Sequence, residues 1–150
     1  MALKPDRIEH LTDISFFMNT TAERGGVVSF VTGGVGVAMD DADAVVEYAA
    51  SCTGSVPAGV LLNDVVNYDL TRQHINWHKD EVQVGGKVTL LRIGQVTTDL
   101  LDGEPVAGDS AYVGPSGTVS VTDCGGATKI GTFLSSKDAD GFAKVSVNIQ

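Results

Sequence analysis

The apolar residues of this chain recur mostly at every second position, which is the period of a β-strand with one buried face. In KVSVNIQ, at residues 144–150, the two valines and the isoleucine fall on one face, and Lys144, Ser146 and Asn148 fall on the other. The same alternation, or a short apolar run, predicts further strands at residues 26–31, 44–50, 59–66, 87–93, 117–122 and 128–134.

Turn-forming residues separate most of these segments. They are Gly33-Gly34, Gly85-Gly86, Asp102-Gly103, Gly114-Pro115, Gly125-Gly126 and Asp140-Gly141. The segment nearest to a helix is DDADAVVEYAASC, whose aspartates suit a helix N-terminus. Val45, Val46 and Tyr48 suit a strand equally well, and we predict a strand there. The seven or eight predicted strands indicate an all-β fold, a small antiparallel β-sandwich or barrel, with a jelly-roll-like arrangement as the alternative.

The first 24 residues do not follow this pattern. Their apolar residues are scattered among charges, and no hairpin partner follows. Pro5 and the Phe16-Phe17 pair favour an extended segment over a short helix. We therefore predict an extended N-terminal arm at residues 1–24 and a single β-rich domain at residues 25–150. The alternative, that the segment is the first core strand, stays open because buried aromatic residues usually belong to a core.

Composition and charge narrow the function classes. A chain of 150 residues is about one domain long, and 43% hydrophobic residues exclude bulk disorder. Nineteen acidic against ten basic residues give a net charge of -9, which disfavours a nucleic-acid partner. The N-terminal MALKPDRIEHLTD has charges throughout, so we predict neither a secretory signal nor a membrane-spanning segment, and a cytosolic protein.

The two cysteines, Cys52 and Cys124, lie far apart in sequence and have no CxxC spacing. In a reducing cytosol such cysteines are usually thiols. We therefore expect two partly buried free thiols rather than a disulfide.

His74 and His78 have the spacing of the histidines in HExxH metalloproteases, but Ile75 stands where that motif needs a glutamate. Asp80 and Glu81 are the nearby candidates for further ligands, and structural histidines are commoner than metal sites. We therefore predict no metal site in this stretch.

Two glycine-rich stretches and one acidic stretch also fail as ligand sites. GGVGVAMD has Met39 at the third glycine position of GxGxxG, and EVQVGGKV has Val88 where a P-loop needs Ser or Thr. Both glycine pairs are predicted as hairpin turns. KDADGF, at residues 137–142, resembles part of a calcium loop but lacks the terminal glutamate, so we predict a tight turn. No GxSxG is present. We predict no catalytic residues and no cofactor.

Four blocks of the chain together resemble the capsid decoration, or cement, proteins of tailed bacteriophages. They are DISFFMNTTAERGG, PAGVLLNDVVNYDLTRQHINWHKDEVQVGGKVTLL, PVAGDSAYVGPSGTVSVT and KIGTFLSSKDADGFAKVSVNI. The resemblance implies a small β-rich protein without enzymatic activity, made in the bacterial host cytoplasm and bound to the outer surface of the icosahedral head. The implied partners are the major capsid protein and further copies of the chain, as homotrimers, with no nucleic acid and no membrane. The implied role is to support the shell after DNA packaging has expanded it.

The polar run TRQHINWHKDE, at residues 71–81, is then predicted as an irregular loop that contacts a sister subunit or the capsid. Apolar residues of the arm are predicted to add contact area. The candidate interface residues are Ile8, Leu11, Phe16, Phe17, Arg72, His74, Trp77, His78 and Lys79.

Two alternatives from other classes remain at this stage. One is a metal-dependent or hydrolytic enzyme centred on the two histidines. The other is a carbohydrate-binding or adhesin-like β-domain of a phage fibre. Against the second, one tryptophan and three tyrosines offer few stacking platforms for sugars.

Overall fold

A computed structural model describes residues 2–31, 45–64, 68–69, 74–75, 81–82 and 84–150 of the chain. Regular structure in these residues is β-strand, apart from a single short 3-10 turn at Pro115–Gly117. The predicted all-β fold is confirmed. Within the described ranges, no helix is long and apolar enough to cross a membrane.

The described residues contain fourteen strand segments, more than the seven or eight predicted, because several are only two residues long. The segments are β1 (Ile8–Met18), β2 (Ala22–Glu23), β3 (Val27–Phe30), β4 (Val45–Tyr48), β5 (Pro57–Asp64), β6 (Tyr68–Asp69), β7 (His74–Ile75), β8 (Glu81–Val82), β9 (Lys87–Thr98), β10 (Leu101–Asp102), β11 (Ser110–Val113), β12 (Val119–Ser120), β13 (Lys129–Phe133) and β14 (Ala143–Asn148).

Five of these strands close into a ring. The hydrogen-bonded order is β1-β4-β3-β5-β9, and β9 pairs back onto β1. The closing pair is antiparallel and runs from Ile8 opposite Gln95 to Phe17 opposite Lys87. The pair of β1 with β4 is parallel, and the other pairs in the ring are antiparallel. A sheet closed in this way is a small barrel.

A second sheet branches from the ring at β9. Residues 88–91 of this long strand pair with β5, and residues 93–98 pair with β14. From β14 the sheet continues through β13, β11, β12 and β10. The architecture therefore joins a five-stranded barrel to a second, mainly antiparallel sheet.

Two hydrophobic clusters fill this architecture. The inner core receives side chains from all five ring strands, and its buried members are Met18, Ala22, Val28, Val46, Ala58, Leu61, Val82, Val88 and Leu90. The outer core joins the other face of β3, β5 and β9 to the second sheet. Its largest members are Leu3, Val27, Val60, Leu62, Leu91, Val96, Val113, Val119, Ile130, Phe133, Val145, Val147 and Ile149.

Burial on both faces explains why some strands lack a polar alternate position. In β5, Val60, Leu61 and Leu62 are all buried, because successive side chains point to the outer core, the inner core and the outer core again. In β14 the predicted alternation is confirmed: the apolar positions are buried, whereas Lys144 and Ser146 are half-buried and Asn148 is exposed.

Cys52 and Cys124 form a disulfide, with their Cα atoms 6.1 Å apart. The expectation of two free thiols is therefore wrong. The bond joins the loop before β5 to the loop before β13, and an isolated bridge between Thr53 and Ala127 lies beside it. Spacing in sequence did not reveal this pairing because the two loops meet only when the second sheet packs on the ring.

The predicted tight turn in KDADGF is confirmed. The Asp138 carboxylate accepts hydrogen bonds from the backbone N–H groups of Asp140 (3.0 Å) and Phe142 (2.8 Å). Lys4 Nζ donates to the other carboxylate oxygen over 2.7 Å. The hydrogen bond from Lys4, followed by the one from Phe142, lowers the pKa of Asp138. The carboxylate thus holds the turn and the N-terminal residues together. The predicted turn at Gly33-Gly34 lies outside the described residues.

Closure of the ring depends on the absence of a side chain at position 94. A Cβ atom on Gly94 would collide with the carbonyl oxygen of Ile8 in β1. We expect Gly94→Ala to push the first half of β1 away from β9 and to cost about 1–3 kcal/mol in the free energy of unfolding. Amide hydrogen exchange of residues 8–12, together with urea unfolding, measures both effects.

Gly108→Ala is the matched control. Gly108 also has positive φ (+100°), but a Cβ there would meet nothing within 4 Å. This variant is expected to bear backbone strain alone and to leave exchange in residues 8–12 unchanged. Equal exchange in the two variants would show that close approach at Gly94 does not hold the ring closed.

Candidate interface on the first strand

The first half of β1 is exposed on both faces. Residues 8–12 are all exposed. Ile8, Leu11 and Ile14 keep 43%, 47% and 51% of their surface accessible, and these three side chains are called the β1 surface below. Ordered apolar side chains that neither core covers are typical of a protein–protein contact.

Irregular pairing produces this exposure. The pairing of β1 with β9 shifts register between Glu9 and Leu11, between Leu11 and Thr12, and between Asp13 and Phe16. Such bulges re-aim the side chains on either side, so a strict two-residue alternation is lost. The Asp13 carboxylate accepts a hydrogen bond from the N–H of Ser15 over 2.8 Å, which satisfies a backbone group within one irregular stretch.

The second edge of β1 pairs with β4. Phe17 lies opposite Val45 and Met18 lies opposite Val46, in parallel. In the described ranges, strand pairing on this edge comprises these two residue pairs.

Two aromatic side chains mark the other end of β1. The Phe16 ring packs edge-on against Phe30, with 5.5 Å between ring centroids, and Phe30 is itself 42% exposed. Lys87 Nζ lies 5.7 Å from the ring centroid of Phe17. Phe16 also contacts the inner core. Phe16 and Phe17 are both partly buried. The second half of β1 therefore carries an edge-on contact between two aromatic rings, Phe16 and Phe30.

The residues before β1 are fixed to the second half of β9. Leu3 is buried and bridges to Thr98, and the N–H of Lys4 donates to the carbonyl of Thr97 over 2.9 Å. An ion pair joins Arg7 to Glu9. Residues 8–17 pair with β9 as part of the ring, so this stretch is a barrel strand, as in the alternative considered from the sequence. The boundary at residue 24 stays a prediction.

The predicted polar loop lies largely outside the described residues, and this applies to Arg72, Trp77, His78 and Lys79. His74 is described by its backbone only, in β7 opposite Asp69 of β6. The position of these side chains relative to the β1 surface is therefore outside what the structure describes. Their role in an interface stays a prediction.

Ile14 and Phe30 were not among the predicted interface residues. Ile14 could have been included, because it continues the three-residue spacing of Ile8 and Leu11. Phe30 gave no such signal, since it ends a strand whose other apolar residues are buried. In the part of the chain that the structure describes, no group of three or more His, Cys, Asp or Glu residues could hold a metal ion. Besides the three apolar side chains, β1 exposes the polar or charged side chains of Glu9, His10 and Thr12.

The sequence model of the family described as structural cement protein (E217 gp24/Pam3 gp6) matches residues 8–148. The chain belongs to this family of phage cement proteins. A search of curated proteins found no match. The family match begins at the first residue of β1 and ends at the last residue of β14, so it includes the ring and the second sheet. The cement protein therefore has a structural, capsid-stabilising role and is part of the virion.

Proposed function

We propose that this cement protein binds the outer surface of the phage head as a homotrimer and stabilises the lattice of the major capsid protein. The observation that carries the proposal is the β1 surface: three apolar side chains held in place on a strand of a family member, with no core covering them. The net charge of -9 also suits a position outside the shell, away from packaged DNA.

The β1 surface can supply binding energy at small entropic cost. Full burial of an Ile or Leu side chain contributes about 1.5–3 kcal/mol, and about half of each side chain is already covered. A partner that covers the rest gains roughly 1 kcal/mol per side chain. Because β1 is already paired with β9, little additional backbone ordering opposes this gain.

Binding to an assembled lattice stabilises that lattice by mass action, since the protein favours the state to which it binds. Neither catalysis nor a cofactor is required for this role. The fibre-adhesin alternative is less well supported, because the matching family is described as structural cement protein. The enzyme alternative is disfavoured for the same reason.

Replacing Ile8, Leu11 and Ile14 together by threonine tests the proposal. Threonine has a β-branched side chain suited to a strand but removes most of the apolar area. We expect the triple variant to bind heads that lack the protein about a hundredfold more weakly, which corresponds to about 3 kcal/mol. Titration of such heads, with bound protein quantified after sedimentation, gives the affinity.

A variant with Val106→Thr and Leu134→Thr is the matched control. These side chains are 58% and 43% exposed but lie in loops away from β1. The control is expected to bind like the wild type, and equal loss in both variants would contradict the role of β1. Light scattering of the free proteins separates the two partners: unchanged trimer mass with lost occupancy assigns the β1 surface to the capsid, whereas dissociation assigns it to the neighbouring copy.

A further inference from the structure

A groove is lined by residues at the start of β5 and by residues of β13 and β14 in the second sheet. Its first part is a cavity of about 320 Å³ between Val56-Pro57, which lead into β5, and Thr128-Lys129, which lead into β13. Its second part, of about 430 Å³, continues over β13 and β14. Lys129 and Asn148 line both parts, so we call the whole depression the Lys129 groove.

The polar lining of the groove is suited to an anion. Thr132 and Ser146 contribute hydroxyl groups, and Asn148 contributes an amide. In the described part of the chain, no acidic residue lines either cavity. This composition stands out on a protein with nineteen acidic and ten basic residues.

Lys129 is an exposed cation at the centre of this lining. The other lysines on the second sheet and its loops are engaged: Lys137 pairs with Glu104 over 2.9 Å, and Lys144 lies 3.5 Å from Asp6. Among the described residues, no carboxylate lies within ion-pair distance of Lys129. Its charge is therefore available to a partner.

The walls of the groove are tied together immediately beside it. The Cys52–Cys124 disulfide and the Thr53–Ala127 bridge join the two chain segments just before they form the walls. Thr128 Oγ1 also donates to the carbonyl of Ser55 over 3.4 Å. Such cross-links fix the separation of the walls before a partner arrives, which lowers the entropic cost of binding.

We propose that the Lys129 groove receives a carboxylate-bearing segment of the major capsid protein, with Lys129 forming the ion pair and the neighbouring hydroxyl and amide groups completing it. The inference rests on the proposed binding to the head and adds a second contact, on β13 and β14, to that of the β1 surface. Val56, which is 61% exposed, supplies an apolar wall for the rest of the segment.

Lys129→Glu and Lys129→Met test this contact, with heads that lack the protein as the probe. A charge-assisted hydrogen bond lost at a covered site weakens binding, and a reversed charge also repels the carboxylate. We expect at least a tenfold loss of affinity for Lys129→Glu and a smaller loss for Lys129→Met. The affinity of Lys129→Met should also fall less steeply with added salt than that of the wild type, because one screened ion pair is missing.

Lys137→Glu is the control, since it makes the same change in net charge in the loop between β13 and β14. It is expected to bind within about twofold of the wild type. Wild-type affinity in Lys129→Glu, or equal losses in Lys129→Glu and Lys137→Glu, would overturn the groove contact while leaving the proposed function intact. Failure of the wild type itself to bind the heads would instead remove the proposed function.

Discussion

Reduction of the Cys52–Cys124 disulfide is expected to lower the free energy of unfolding by about 4 kcal/mol. The bond spans 72 residues, and a loop of this length removes much of the conformational freedom of the unfolded chain. Cys52 is half-buried and Cys124 is exposed, so loss of packing contributes little. Urea unfolding with and without a dithiol reductant measures the change.

The variant Cys52→Ser/Cys124→Ser supplies the control for this experiment. It is expected to have the stability of the reduced wild type and to show no response to the reductant. The slope of the unfolding curve should rise in both, because a chain without the cross-link exposes more surface when unfolded. An unchanged unfolding midpoint after complete reduction would show that the bond does not constrain the unfolded state to this extent.

Phe133→Ala is expected to cost about 3–5 kcal/mol in the free energy of unfolding. Phe133 is fully buried and belongs to the outer core. Its backbone is fixed to the segment before β11, because its N–H donates to the carbonyl of Asp109 and its carbonyl accepts from the N–H of Gly108, each over 2.8 Å. The surrounding chain therefore cannot collapse easily into the cavity.

The adjacent residue provides the matched comparison. Leu134 is 43% exposed, and Leu134→Ala is expected to change the free energy of unfolding by no more than about 0.5 kcal/mol. Urea unfolding of both variants at the same pH gives the two values. Similar losses at the two positions would indicate that the outer core does not depend on Phe133.

Much of the fold could be predicted from the two-residue period. The alternation of β14 identified its buried face correctly, and the apolar runs of β3, β5 and β9 were recognised as strands. The strand at 45–48, predicted against a helix, is also confirmed. Each of these signals is local, so a single segment carries it.

Long-range features could not be predicted in this way. Nothing in β1 indicates that it pairs with β9 and closes a ring, because the pairing is irregular and the apolar residues of β1 do not alternate. The disulfide was missed because the prediction relied on a reducing cytosol, where cysteines are usually thiols. The separation of 72 residues in sequence does not show whether two cysteines meet in the fold. Segments of two residues, such as β10 and β12, are too short to show a period.

The candidate interface was anticipated in part. Ile8 and Leu11 were selected because they fit no core pattern, and the structure places both at the surface. Their role in binding stays a prediction. Lys129 was not selected, because a lysine at an outward position of a strand is ordinary in sequence. Its interest arises only from the residues that β5 and β14 bring beside it.

Ring closure has a consequence for the order of events during synthesis. The first strand leaves the ribosome early, yet its partner Lys87–Thr98 emerges only after most of the other barrel strands. Long-range pairings of this kind form slowly, because loop-closure entropy is lost before any contact compensates it. The nascent N-terminus must therefore remain unpaired and soluble for much of translation, a requirement that the charges interspersed among its apolar residues help to meet.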